Sequence, residues 1–376
     1  MKIICSKSSL LEMINTVQKA VSAKSVMPIL ECIKLEADIS GDMTITGNNL
    51  DIAIEYKSFA NVTEAGSIAL NSKMFGEIIR RLPDSDVSIN VNEENNVTTI
   101  KCAKSEFNIQ GMNSSEYPVV PEVEESYRFS MEQEKLKRMI RKTIFSVSQN
   151  ESRRPVLTGA LFDINTGTLN VVATDTYRLA IVTETVDASL QNYKFVVPGS
   201  TLRELLKVLR DDEEKVEIIV SSRHAMFDFG GYKVTTRLLE GEFIKYDPIL
   251  KTPNSIFVTV GIREFAESLE RASLLINDDL TAKAEKVPVR LNINLDKIEI
   301  TCITGKGMVH DIVEAGVHGD DIEIGFNHRY LLEALRACED EKIKLEFSNP
   351  RSSCFIRSEE DKSFTYMVLP VRLYNE

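Results

Sequence analysis

Three stretches of the chain overlay on one another without gaps: Asn71 to Leu82 (NSKMFGEIIRRL), Pro198 to Leu209 (PGSTLRELLKVL) and Asn327 to Cys338 (NHRYLLEALRAC). An internal repeat limits a fold more than composition does, because each copy has to build the same unit. The apolar columns are Phe75/Leu202/Leu331, Ile78/Leu205/Ala334, Ile79/Leu206/Leu335 and Leu82/Leu209/Cys338. They are spaced i, i+3, i+4, i+7, so each copy reads as an amphipathic helix with one face for a core. An acidic turn and an alternating strand follow each helix, through Val87, Ile89 and Val91, then Val216, Ile218 and Val220, then Ile343, Leu345 and Phe347.

A second unit recurs upstream of each copy: an amphipathic segment, a proline, a strand and a hairpin. It runs from Leu10 through Pro28, from Leu136 through Pro155 and from Phe265 through Pro288. The fold expected is α+β, with three similar domains of two helices packed on antiparallel sheet, over 1–121, 128–248 and 254–376. The joints, SSEYPVVPEVEES and KYDPILKTPNS, contain proline and polar residues as linkers do. The Gly-Gly of FGGY, Phe229 to Tyr232, suits a primed hairpin turn.

Charge recurs on the helix columns that lie off the core. One column is Arg80/Lys207/Arg336, another is Lys73/Ser200/Arg329, and Glu77/Glu204/Glu333 stands three residues before the first. Two readings are open: a solvated face laced with intrahelical ion pairs, or basic helices that face one common anion. Lys137, Arg138, Arg141 and Lys142 crowd the other helix of the second copy, and Lys24, Arg153 and Arg154 lie in or near the loops that follow it. On a chain of formal net charge -12 this pattern favours a basic inner and an acidic outer surface. The anion expected is nucleic acid. With no zinc finger, RNP sequence or tryptophan platform, its contacts would go to phosphate and be independent of sequence and sensitive to salt.

Catalytic patterns are sparse. The six cysteines are scattered with no C-x-x-C pair, which predicts buried thiols of a reducing cytoplasm, and the four histidines show no ligand spacing. No metal or cofactor is expected. TGKG, Thr304 to Gly307, lacks the phosphate-loop spacing and falls between strands. The acidic pairs Asp211-Asp212, Asp278-Asp279 and Asp320-Asp321 leave a metal-dependent nuclease as an alternative, and a β-rich peptide-binding scaffold that never meets DNA as another. The first residues lack the continuous apolar core of a signal peptide, and no run approaches a membrane span, so no membrane partner is expected.

Two stretches invite a binding role. ATDTYRLA, Ala173 to Ala180, places Asp175, Thr176, Tyr177 and Arg178 between apolar strand residues where the first copy has TGNNLDIA, which makes either a polar turn or the rim of a groove. The last run, MVLPVRLYNE from Met367, is mostly apolar up to Tyr374 and is expected to belong to a core, a binding surface, or both.

With ATDTYRLA, RPVLTGALF at Arg154 to Phe162, EYPVVPEV at the first joint and the terminal MVLPVRL, the chain resembles the bacterial DNA sliding clamps, the beta subunits of DNA polymerase III, over essentially its full length. The resemblance implies a non-catalytic processivity factor, a head-to-tail homodimer closed into a ring around duplex DNA. Its partners would be the polymerase III catalytic subunit, the clamp loader, and other polymerases and repair proteins with clamp-binding peptides. Twelve helices of about 10 Å diameter leave a bore of roughly 28 Å, enough for a duplex and a water layer. The implied peptide pocket consists of Leu157, Thr174, Thr176, Tyr177, Arg178, Leu179, Ile249, Met367, Leu369, Pro370, Val371 and Arg372, with Asn327, Tyr330, Arg351 and Ser353 nearby. Thr176-Tyr177 stands where many members carry Gly-His, and Ile244 where proline is frequent. Implied DNA contacts are Lys24, Lys73, Arg80, Arg153, Arg154 and Lys207, and the implied subunit interface contains Phe107, Leu274 and Leu275.

Overall fold

The computed structural model describes residues 1–150, 154–188, 192–277 and 287–373. Its α-helices among these residues are α1 (Lys7–Val17), α2 (Ser72–Arg81), α3 (Gln133–Arg141), α4 (Gly199–Val208), the short α5 (Asp247–Leu250), α6 (Ile262–Asn277) and α7 (His328–Arg336). The repeated helices are α2, α4 and α7, and each leads into the expected strand: Asp86–Asn92, Lys215–Val220 and Lys342–Phe347. All nine alternating strand positions are buried. Asn71 and Asn327 cap α2 and α7, their side-chain oxygens accepting from the N–H of Met74 and of Arg329, each at 3.0 Å.

The core columns sort more finely than their spacing. Phe75, Leu202 and Leu331 are fully buried. α2 buries Ile79 and leaves Ile78 half-buried, α4 buries Leu205 and leaves Leu206 half-buried, and α7 buries both Ala334 and Leu335. Adjacent positions sit 100° apart around a helix, so two bulky residues compete for the centre of one stripe, whereas alanine leaves room for its neighbour. Five cysteines are buried, and Cys338 is half-buried.

The described chain forms two compact units. The first holds 1–134, 200–238 and the short strand Asp187–Ala188; the second holds the described parts of 135–186, 190–199 and 239–376. In the first unit a five-stranded sheet runs in the order Asn61–Glu64, Lys2–Ser6, Asp86–Asn92, Val97–Cys102, Ser105–Gln110, and a nine-stranded sheet joins strands from the first and middle thirds of the chain. The join is the antiparallel pairing of Tyr232 through Thr236 with Tyr56 through Ile52. The second unit has one twelve-stranded sheet, joined in the same way by Arg178 through Val182 against Val368 through Phe364. The FGGY turn has both glycines at positive φ, +55° and +85°, as a primed turn requires.

The difference between paired helix positions is measurable. Leu205→Ala is expected to destabilise its unit by about 2–5 kcal/mol and Leu206→Ala by about half as much, read as shifts of the urea midpoint.

Candidate functional site

The hairpin between the strands Thr168–Thr174 and Arg178–Thr185 is built by its own side chains. Asp175 Oδ1 accepts from the N–H of Tyr177 (2.9 Å) and of Arg178 (3.0 Å), and Thr174 Oγ1 accepts from the N–H of Thr176 (3.1 Å) while donating to the Arg178 carbonyl (2.7 Å). Thr176 is thereby held at φ +78°. The counterpart hairpin in the first unit repeats the three N–H bonds, accepted by Asn48 and Asn49, with Leu50 at φ +79°. Thr176 therefore matches Leu50 and Arg178 matches Ile52, one residue away from the overlay of TGNNLDIA on ATDTYRLA. The overlay aligns two alanines, Ala53 and Ala180, but the strand register pairs Asn48 with Ala53 and Thr174 with Leu179.

Arg178 thus occupies a position where the first copy buries an isoleucine, and it is a buried cation where the sequence suggested a rim residue. Its Nε donates to Asp175 Oδ2 at 3.0 Å, its Nη1 pairs with Glu333, and its guanidinium stacks 4.6 Å from the Tyr330 ring and 5.5 Å from that of Phe145. Two carboxylates and two aromatic faces replace the water that a buried arginine loses.

These groups border a cleft of about 940 Å³ lined by Val147, Ser148, Gln149, Asn150, Arg154, Leu157, Asp175 through Arg178, Asn327, Arg329, Tyr330 and Glu333. The rings of Tyr177 and Tyr330 lie near parallel across it, 6.3 Å apart. An apolar cluster adjoins it: Leu157, Leu161, Leu179, Phe355 and Met367 are buried there, with Ile249 and Ile244 packed on its side. Beyond the strand Phe364–Val368, the N–H of Leu369 donates to the Tyr177 carbonyl and that of Val371 to the Gly325 carbonyl, both at 2.8 Å. Leu369 is 39% exposed, Pro370 and Val371 are half-buried and Arg372 is exposed.

Of the expected pocket residues, Leu157, Thr176, Tyr177, Arg178, Asn327 and Tyr330 line the cleft. Thr174, Leu179 and Met367 are buried behind it as scaffold and floor. Arg351 is exposed in a turn and Ser353 is half-buried, neither on the lining. Sequence reasoning missed Val147 to Asn150 and Glu333 as lining; the glutamate column was the available signal for Glu333. Burial and then the Arg329 charge hold His328, which opens α7, below its ordinary pKa.

The candidate DNA residues Lys24, Lys73, Arg80 and Lys207 are exposed, and a smaller cleft of about 370 Å³ in the first unit brings Lys73 and Arg80 together. Arg80 pairs with Glu77, and Lys207 with Glu204 at 2.7 Å, as the i, i+3 spacing predicts. The third copy departs from it: Arg336 reaches Glu270 on α6 at 2.7 Å, because Glu333 is taken by Arg178. Arg154 borders the large cleft, and Arg153 lies outside the described residues. Of the cations of α3 and its end, Arg138 pairs with Glu184, Arg141 with Glu339, and Lys142 is buried against Asp361 and Glu339.

Phe107, 39% exposed, lies on the edge strand Ser105–Gln110 of the first unit. In the second unit Leu274 is 69% exposed on α6 and Leu275 half-buried. Ile303, Met308 and Ile312, also exposed, stand on the strands Lys297–Thr304 and Gly307–His318, and only Ala315 to His318 of the latter pair with a second neighbour. Each unit therefore offers an open strand edge with apolar side chains on or beside it. Of the acidic pairs, Asp211-Asp212 sit in a bend, Asp320 ends a bend with Asp321 just after it, and Asp278-Asp279 lie outside the described residues.

Family models of the DNA polymerase III beta subunit match residues 1–121 (N-terminal domain), 130–245 (central domain) and 249–372 (C-terminal domain). The chain belongs to this family. It is 32% identical to the beta sliding clamp of Bacillus subtilis and 34% identical to that of Halalkalibacterium halodurans, with 100% of both chains covered in each case. The crystal structure of the Bacillus subtilis clamp superposes with a TM-score of 0.93 at 31% identity over 100% of both chains. That of the Pseudomonas aeruginosa clamp bound to griselimycin does so with a TM-score of 0.93 at 25% identity, covering 99% of this chain and 100% of that one. The family is a non-catalytic processivity factor of DNA polymerase III, which sets the nuclease alternative aside. No described helix is long and apolar enough to cross a membrane.

Arg178→Met leaves Asp175 and Glu333 without their shared cation. It is expected to cost about 3 kcal/mol, read by urea unfolding, while the additional change Glu333→Gln recovers part of the loss.

Proposed function

We propose that two copies of this chain close head to tail into a ring that encircles duplex DNA and tethers the replicative polymerase through the cleft beside Arg178. The observation that supports this is the joint itself: beside the pairing of Arg178–Val182 with Phe364–Val368 lie an apolar floor, an aromatic pair and a partly exposed Leu369. That combination suits a short linear peptide with an apolar anchor. Of the sixteen residues named for the pocket, Leu157, Thr176, Tyr177, Arg178, Asn327 and Tyr330 would serve it as lining, and Thr174, Leu179 and Met367 as scaffold and floor. The clamp loader, other polymerases and repair proteins would share it, and griselimycin would bind there as well.

Ring closure would join the edge strand of Phe107 to the apolar edge and helix face of Leu274, Leu275, Ile303, Met308 and Ile312 in a second copy. Three clamp domains, 1–121, 128–248 and 254–376, would each turn their helices inward. Lys24, Lys73, Arg80, Arg153, Arg154 and Lys207 would then meet phosphate. Pairing of Arg80 and Lys207 with neighbouring glutamates tempers that attraction, and weak contact suits sliding, since a closed ring is retained by topology. The protein would work in the cytoplasm.

Loading by a clamp loader onto nicked circular DNA tests the ring. The protein should stay on the circle through gel filtration in high salt and be lost when the circle is cut, and Phe107→Asp should never be retained. Equal retention on linear DNA would overturn encirclement.

Leu369→Ala combined with Pro370→Ala should weaken polymerase binding at least about ten-fold, as loss of an interface anchor does. Retention on circular DNA should be unchanged, and surface plasmon resonance against the polymerase catalytic subunit reads the loss.

A further inference from the structure

Lys142 does not line the cleft, yet two segments that line it, and the strand paired behind a third, lead back to it. It directly follows α3 and precedes the turn Ile144–Ser146, from which Val147 to Asn150 pass along the cleft. Its Nζ lies 2.6 Å from Asp361 Oδ2, in the segment that enters the strand Phe364–Val368 and carries Leu369 to Tyr177. It also lies 3.3 Å from Glu339 Oε2, just beyond α7, which with its cap Asn327 supplies Arg329, Tyr330 and Glu333 to the cleft. The ammonium sits 5.0 Å over the Phe364 ring, and Phe145 meets Tyr366 edge-on at 5.2 Å. One amine thus ties together segments that are remote in sequence.

The side chain of Lys142 is 1% exposed. An amine that has lost its water is tolerated only where its counter-charges are held in one geometry, so a buried ion pair selects a register more than it adds stability. Asp361 keeps its charge under ordinary conditions: burial alone would raise its pKa, but hydrogen bonds from Lys142 and Ser363 bring it down to about 2. Arg141 pairs with Glu339 from the other side, so the second carboxylate is shared as well.

We infer that Lys142 is a positioning residue of the peptide cleft, fixing the spacing of the segments that line and support it without touching the ligand. This rests on the reading of the cleft as a peptide site. Griselimycin is the probe, titrated by calorimetry into the full-length chain and its variants, with circular dichroism to verify folding. Lys142→Met and Asp361→Asn should each weaken binding by about ten-fold, and the double variant should be no weaker than Lys142→Met, because both break one interaction. Lys142→Arg, which keeps a cation, should stay within about three-fold of the parent. Asp361→Asn carries the test should Lys142→Met fail to fold. Unchanged affinity in a folded single variant, or losses that add in the double variant, would overturn the positioning role and leave the cleft reading in place. Failure of the parent chain itself to bind griselimycin would overturn the cleft reading and this inference with it.

Discussion

The five residue pairs from Arg178–Val368 to Val182–Phe364 are the constraint on which the site depends. Side chains alternate along a strand, so a slip of one residue would turn Arg178 out of its nest of carboxylates and rings and bring Leu179 to the wrong face. The same pairing carries the chain on to Leu369 and places its N–H on the Tyr177 carbonyl. Hairpin, floor and tail are therefore fixed by one register. No loop has to find its own position.

The first unit contains the same joint with its chemistry reversed. There Ile52 takes the position of Arg178, and Arg237, whose N–H donates to the Asp51 carbonyl, takes that of Leu369. The cation and the apolar residue have exchanged sides. Ile52 is buried in its own strand, Arg237 is exposed, and the hydroxyls of Thr201 and Thr236 bond at 2.7 Å beside them. An apolar anchor is thus presented at one joint only, although the two hairpins share their hydrogen bonds and their positive φ. On the proposed reading, a repeated scaffold would acquire its binding place at this joint through two exchanged residues.

Much of this was legible from periodicity. The spacing of Phe75, Ile79 and Leu82 and its two echoes located three helices, and the alternation of Val87, Ile89 and Val91 located the strands behind them, because both patterns follow from burying one face. The partners of charged side chains were not legible. Lys142 looks like any solvated lysine until Asp361, far along the chain, is folded against it, and Arg336 turns from Glu333 to Glu270 because a residue on another strand claims Glu333 first. The hairpin overlay slipped by one residue because similar alanines outweighed the polar residues that end the strands. Whether Leu205 or Leu206 takes the core depends on helix rotation, which spacing alone leaves free. The family resemblance named six of the fourteen residues that line the cleft and could not sort lining from scaffold.

The burial of Lys142 also makes it a clock. A primary amine reacts with an acylating reagent only when solvent reaches it, so Lys142 would be modified at the rate at which its knot opens, while exposed lysines such as Lys24 react at once. Its protection factor would report how often the segments behind the cleft part company, and a ligand that seals the cleft would slow the labelling of a residue it never meets.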